Sequence, residues 1–166
     1  EIVLVDDGST DATPDVTAEF TARLPNLCAI RQANAGLGAA RERGWRAASA
    51  PIVAFLDDDA EASSGWLEIA LDRFRQNAAK PRPPVALGGP TRGRWETARP
   101  AWLSDRLALW LTVWEPHADY RESAVDHLFV GANMIFLRPA LEQSGGFNPK
   151  LGRQGRGLLS HEESEL

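Results

Sequence analysis

Two short apolar runs, each ending in adjacent carboxylates, constrain this chain more than any other feature. Ile2-Val3-Leu4-Val5 runs into Asp6-Asp7, and Ile52-Val53-Ala54-Phe55-Leu56 runs into Asp57-Asp58-Asp59. Unbroken apolar runs of this length, rich in β-branched residues, read as strands buried on both faces, and such strands belong to sheets covered by helices. The intervening residues agree. Thr13 reads as an N-cap with Pro14 at the first helical position, and Val16, Phe20 and Leu24 recur on one face until Pro25 stops the helix. Leu27 to Ile30 reads as a second strand, Asn34 to Ala48 as a helix ended before Pro51, and Trp66, Ile69, Ala70 and Phe74 as the inner face of a helix capped by Ser63 or Ser64. Three alternations at short spacing predict an α/β fold, with a Rossmann-like, mostly parallel sheet and helices on both faces. In open α/β sheets ligands bind outside the carboxyl ends of the strands, which is where both acidic clusters fall.

At 166 residues the chain has the size of one ordinary domain, and 43% hydrophobic residues suffice for a sizeable core. With 18 Lys plus Arg against 23 Asp plus Glu, the net charge of -5 disfavours nucleic acid as a partner. Cys28, the single cysteine, stands in Leu27-Cys28-Ala29-Ile30 and is expected to be a buried thiol. No run of about 18 apolar residues is present, so membrane association is expected only through segments outside this sequence.

Beyond Lys80-Pro81-Arg82-Pro83-Pro84 the character changes. Four of the six tryptophans fall between Trp95 and Trp114, and Leu103 to Trp114 reads as an amphipathic helix. Leu128 to Leu137 reads as extended, with an interruption at Gly131-Ala132-Asn133, and Pro139 to Ser144 as a short helix ended by Gly145-Gly146. Lys150, Arg153 and Arg156 lie in a basic, glycine-containing loop, and Glu162, Glu163 and Glu165 stand near the end of the sequence. His117, His127 and His161 are scattered and are not assigned as ligands.

Three adjacent like charges at a strand end repel one another and call for a cation or solvent. Hard divalent cations such as Mg²⁺ or Mn²⁺ are held by one or two carboxylates plus substrate phosphates, which makes Asp57 and Asp59 the candidate metal pair and Asp58 a group that faces away or meets a sugar hydroxyl. An EF-hand loop fails, because its sixth position is Ala62 and a strand precedes it. A receiver domain phosphorylated on Asp57 is the alternative: paired acids, a later Asp and Lys80-Pro81 resemble that family. Ala60-Glu61 replaces its Met-Pro, however, and the residues after Ala101 have no place in it. A noncatalytic carbohydrate-binding module is a third class.

Taken in order, the motifs resemble the family 2 glycosyltransferases with the GT-A fold. Ile2 to Asp11 is similar to that family's second strand and nucleotide-contacting turn. Asn34-Ala35-Gly36 with Ala39-Ala40-Arg41 and Gly44 is similar to its Asn-x-Gly, Ala-Arg-Asn-x-Gly helix, with Glu42 in place of the usual Asn. Phe55 to Asp59 resembles its Asp-x-Asp strand, Gly131 to Met134 with Gly145-Gly146-Phe147 its acceptor-side segment, and His161 to Leu166 its Glu-Asp-x-x-Leu segment. The resemblance places the family's first strand before Glu1 and its C-terminal part beyond Leu166. It implies one catalytic domain, with a nucleotide- and metal-binding half over 1–80 and an acceptor half over 85–166. Donor contacts then fall on Asp6, Asp7, Arg41 and Asp58, with one of the first two on the base and the other on the ribose or the structural turn. Asp57 and Asp59 hold Mn²⁺ or Mg²⁺. The general base falls on Glu163 or Glu162, the reaction is inverting, the partners are a nucleotide-diphosphate sugar and a glycan or lipid-linked acceptor, and the setting is cytoplasmic, at the inner face of a membrane. Trp95, Trp102, Trp110 and Trp114 serve either as stacking faces for sugars or as packing; Trp102, between Pro100 and Ser104, is the acceptor candidate. Setting aside the seven acids Asp6, Asp7, Asp57, Asp58, Asp59, Glu162 and Glu163 leaves sixteen acids against eighteen bases, so the acidity is concentrated in the expected site.

Overall fold

A computed structural model describes residues 1–114, 131–149 and 151. In chain order the elements are β1 (Ile2–Asp6), α1 (Thr13–Arg23), β2 (Leu27–Arg31), α2 (Leu37–Ala47), β3 (Ile52–Phe55), α3 (Trp66–Asn77), β4 (Ala86–Gly88), α4 (Asp105–Ala108) with a 3₁₀ turn over Leu109–Leu111, β5 (Met134–Leu137) and α5 (Arg138–Ser144). They form two compact units, Glu1–Val53 with Leu137–Leu166, and Ala54–Phe136.

In the first unit β1 and β2 pair in parallel, with Ile2 opposite Leu27 and Asp6 opposite Arg31. Pro25 cannot continue a helix and disfavours helical backbone at the residue before it, so α1 ends at Arg23 and Leu24 is extended. The N-cap residue is Ala12 rather than Thr13, and the carboxylate of Asp11 accepts the Thr13 N–H at 3.0 Å. The apolar stripe of α1 is less covered than its periodicity suggests: Val16 and Phe20 are exposed, as is Leu24 beyond its end, and the helix has no buried residue. Two strands lie about 5 Å apart whereas a helix is about 10 Å across, so a two-stranded sheet cannot cover a three-turn helix. The same narrowness leaves Cys28 exposed, contrary to the expected buried thiol.

The core of this unit forms around α2. Gly38, Arg41 and Trp45 face inward at helical spacing, with Val53, Leu141 and Phe147 also buried. Arg138 fastens the end of α2: its guanidinium donates to the carbonyl oxygens of Ala50 at 2.9 Å, Trp45 at 3.4 Å and Ala48, satisfying acceptors that a helix C-terminus leaves open. Glu42 ties α2 to the turn after α5, because its carboxylate accepts from Trp45 Nε1 at 2.6 Å and the Phe147 N–H at 2.9 Å. Gly145, at φ 89°, stops α5 as expected.

In the second unit β5 lies between β3 and β4, with β4 and β5 antiparallel and Ala86 opposite Phe136. Phe55 and Phe136 meet edge to face at 6.1 Å. The helix α3 begins at Trp66, after Gly65 in a left-handed conformation at φ 77°, and no side chain caps it. Ser63 takes part through its carbonyl, not the expected hydroxyl. Ala70 and Phe74 bury one face of α3 as expected, while Ile69 stays exposed. The amphipathic helix expected over Leu103 to Trp114 is shorter. Ser104 caps α4 through its hydroxyl, and the helical run ends at Thr112, which adopts φ 59°; Trp114 instead pairs with Thr91 in an isolated bridge. Among the described residues no helix is long and apolar enough to cross a membrane.

Candidate active site

In the first unit the acids Asp6 and Asp7 are neighbours in sequence and opposite in circumstance. Asp6 closes β1, so the parallel register sets it beside Arg31 at the end of β2, with Arg31 Nε 3.4 Å from Asp6 Oδ2. Oδ1 accepts the Ser9 N–H at 2.8 Å. The residue is 5% exposed, yet Oδ2 has no hydrogen bond. Hydrogen bonds from the Ser9 side chain and backbone, helped by the Arg31 charge, hold the Asp6 carboxyl below its ordinary value and keep it ionised. Among the described residues the charged group facing this oxygen is the Arg31 guanidinium, at ion-pair rather than hydrogen-bond distance, so Oδ2 keeps capacity to accept a hydrogen bond. Asp6 and Arg31 also line a groove of about 480 Å³ between α1 and β2.

Asp7 is saturated from within. Its carboxylate accepts from Gln32 Nε2 at 2.7 Å, Gly36 N at 2.8 Å, Ala35 N at 2.9 Å and Asn34 Nδ2 at 3.2 Å. Asp7 therefore folds the Asn34-Ala35-Gly36 turn against the end of β1 and sets the first residue of α2. That explains why α2 begins at Leu37 and not at Asn34. Gly8 completes the turn: at φ 84°, a Cβ there would lie 2.7 Å from the Asn34 backbone nitrogen. Arg41, on the inner face of the same helix, is 8% exposed.

In the second unit Asp57, Asp58 and Asp59 form a turn directly after β3, closed by the Ala60 N–H donating to the Asp57 carbonyl at 3.1 Å. Asp57 is half-buried, and Asp58 and Asp59 are exposed. Two residues on, Glu61 is ion-paired with Arg94. Among the described residues no three His, Cys, Asp or Glu side chains cluster as a closed metal cage would require. Trp102 is 73% exposed, in the loop expected for it. Glu162 and Glu163, like His117, His127, His161, Lys150, Arg153 and Arg156, lie outside the described residues.

Several organising residues act through partners that the sequence pattern does not reveal. Asn133 accepts from Trp66 Nε1 at 2.9 Å and donates to the Pro90 carbonyl at 3.2 Å, fastening the Gly131-Ala132-Asn133 segment to α3 and to the residues after β4. Arg31, Gln32 and Glu42 are likewise polar residues whose partners stand 25 or more positions away or in another element. Only the register between Asp6 and Arg31 was open to inference, from two strands of equal length joined by one helix.

The family model for glycosyl transferase family 2 matches residues 1–145. Glucosyl-dolichyl phosphate glucuronosyltransferase of Haloferax volcanii is 25% identical over 163 residues, which are 98% of this chain and 50% of that protein. Mannosyltransferase PcManGT from Pyrobaculum calidifontis, solved in complex with GDP-Man and Mn2+, superposes with a TM-score of 0.62 at 25% identity over 92% of this chain and 39% of its own. S. aureus TarS gives the same TM-score at 20% identity, a likeness of fold, over 99% of this chain and 43% of its own. The chain thus spans no more than half the length of these proteins. None of these matches is a receiver, and the alternative of a phosphorylated Asp57 is left without support. With its two acidic strand ends, its α/β architecture and a family match over most of its length, the chain belongs to glycosyl transferase family 2 and has the GT-A fold.

Proposed function

We propose that this chain carries the donor side of an inverting, divalent-cation-dependent transfer of a sugar from a nucleotide-diphosphate sugar to a glycan or lipid-linked acceptor. The observation that carries the reading is the contrast between Asp7, saturated by its own turn, and Asp6, whose buried Oδ2 has no hydrogen bond. An ionised acceptor fixed at a strand end suits an N–H or hydroxyl of the nucleoside, and Arg41 stands on the inner face of α2. Asp57 and Asp59 are the residues we assign to the cation, because an Mg²⁺ or Mn²⁺ ion that keeps phosphate oxygens among its ligands needs only one or two carboxylates. That cation would supply positive charge to the departing diphosphate. Asp58 then meets the sugar or ribose, and Trp102 stacks on the acceptor. Glu163, or Glu162 beside it, takes the proton of the attacking hydroxyl, a role worth about 10²–10⁴-fold. The division into a donor half over 1–80 and an acceptor half over 85–166 belongs to the same proposal, as does a site of action at the inner face of a membrane.

The test is a thermal-shift panel of nucleoside diphosphates with and without Mn²⁺. A nucleoside diphosphate that stabilises the chain more with Mn²⁺ is expected, and Asp59→Ala is expected to remove that increment. Equal shifts in the two proteins remove the metal assignment. Glu163→Gln should lower turnover far more than donor affinity; if Glu162→Gln does so instead, the base is its neighbour.

A further inference from the structure

Residues 102–111 expose more large apolar surface than their burial pattern requires. Trp102 is 73% exposed, Leu107 46%, Leu109 52%, Trp110 79% and Leu111 56%, while only Leu103 and Ala108 turn inward. Leu107, Leu109, Trp110 and Leu111 lie within the short helical run and are exposed on both sides in sequence of the inward-facing Ala108. Contiguous exposure of this kind marks an interaction site, unlike single exposed leucines. We infer that this segment is a membrane-interface contact that seats Leu107, Trp110 and Leu111 in an anionic lipid surface.

The chemistry of the patch selects that occupant. A glycan would stack on the tryptophans but gains little from Leu107, Leu109 and Leu111. A second copy of the chain would need roughly 800 Å² on each side, which the helical run of Asp105 to Leu111, about 12 Å long, does not offer. A bilayer interface asks for less: an apolar face lying in the plane, indole rings at headgroup level, and cationic side chains reaching the phosphates. The charge is suited to it as well. In a chain of net charge -5, the segment from Arg92 to Trp114 carries Arg92, Arg94, Arg99 and Arg106 against only Glu96 and Asp105. Arg94 and Arg99 are ion-paired, to Glu61 and Asp105, and Arg106 stands exposed immediately before Leu107. This departs from the expectation that membrane association lies only in segments outside this sequence; it rests on the proposed site of action at a membrane face and does not depend on the donor site.

Co-sedimentation of the full chain with phosphatidylcholine vesicles, with and without phosphatidylglycerol, tests it. Binding is expected to the mixed vesicles, weaker binding to phosphatidylcholine alone, and a loss on raising the salt. Trp110→Ala should weaken binding to the mixed vesicles about tenfold, as the loss of one buried aromatic side chain. Arg106→Gln should weaken it about fivefold, and only where phosphatidylglycerol is present. Both side chains are exposed, so the thermal midpoint of either variant should match the parent's and a loss of binding is not a loss of fold. Failure of the chain to sediment with the mixed vesicles, or unchanged binding by Trp110→Ala, overturns the inference. So does finding that Trp110→Ala instead abolishes self-association or binding of a soluble oligosaccharide in the absence of lipid. The nucleotide and Mn²⁺ shifts, read without vesicles, report the donor site separately, so either reading can fail while the other stands.

Discussion

Asp7 should behave as a structural residue although it stands in the turn to which the family resemblance assigns nucleotide contact, and Asp7→Ala separates the two roles. The substitution removes the acceptor for four donors, the Gln32 and Asn34 side-chain amides and the Ala35 and Gly36 backbone N–H groups. Asn34 and Ala35 are exposed and recover their hydrogen bonds from water, and Gln32 is half-buried and recovers part. The Gly36 N–H is buried, and stranding a buried donor costs about 1–3 kcal/mol. With a contribution from Gln32 the expected loss is about 2–3 kcal/mol. In a protein of this size each kcal/mol moves Tm by about 2–4 °C, so Asp7→Ala should lower Tm by roughly 4–12 °C. Asp7→Asn keeps one acceptor oxygen but turns an NH₂ toward a donor, and should fall between parent and Ala. Asp6→Asn supplies the contrast: it retains an oxygen for the Ser9 N–H, should move Tm much less, and should weaken nucleoside diphosphate binding at least tenfold. Urea and thermal unfolding, with nucleotide titration on each folded variant, read all three. If Asp7→Ala leaves Tm within about 1 °C of the parent while nucleotide binding is lost, Asp7 is a ligand contact and the reasoning from its hydrogen bonds is wrong.

Two further outcomes follow from the same geometry. Gly146 has φ 80°, and a Cβ there would lie 2.3 Å from Glu42 Oε2 and 2.9 Å from Trp45, whereas Gly65 at φ 77° has nothing within 4 Å. Gly65→Ala should therefore cost only the backbone term of about 1–2 kcal/mol, and Gly146→Ala clearly more because the Glu42 tie must shift; equal unfolding midpoints in urea would contradict this. Glu1, Asp6 and Asp11 all have carboxyls held below their ordinary values, mainly by hydrogen bonds from Ser49 and Ala50, Ser9, and Thr13 respectively. A lowered folded pKa contributes stability that is present above the ordinary carboxylate range and lost as pH falls through the lowered values. Tm should therefore be flat above about pH 5 and decline on acidification below about pH 4, with a shallower decline in Asp6→Asn; a Tm that rises on acidification would be inconsistent with those bonds.

The strand and helix order was legible because it depends on local pattern. An apolar run such as Ile52 to Phe55 can bury itself only as a strand or a core helix, and Pro25, Pro51 and Gly145 act on the backbone of their immediate neighbours. The family motifs were legible for the same reason, since each is contiguous or nearly so. Periodicity reports which side of a helix is apolar, not whether anything covers that side. Hence α1 carries Val16 and Phe20 at the expected spacing with both exposed, and Cys28 is accessible in a strand that reads as buried. Leu103 to Trp114 carries an amphipathic pattern, but the helical run stops at Thr112, whose positive φ is a backbone state that side-chain pattern does not encode.

By itself, then, the amino-acid sequence determined the α/β order, the two acidic strand ends and the family to which they belong, because those depend on residues close together along the chain. Tertiary structure decided what the adjacent carboxylates Asp6 and Asp7 do. Parallel pairing brought Arg31 to Asp6, and the turn at Asn34 to Gly36, 27 to 29 residues farther along, closed around Asp7. Two residues of one type, side by side in sequence, were thereby given different work, one buried with an oxygen open and the other saturated. A hydrogen bond depends on distance in space, and only the folded backbone sets that distance.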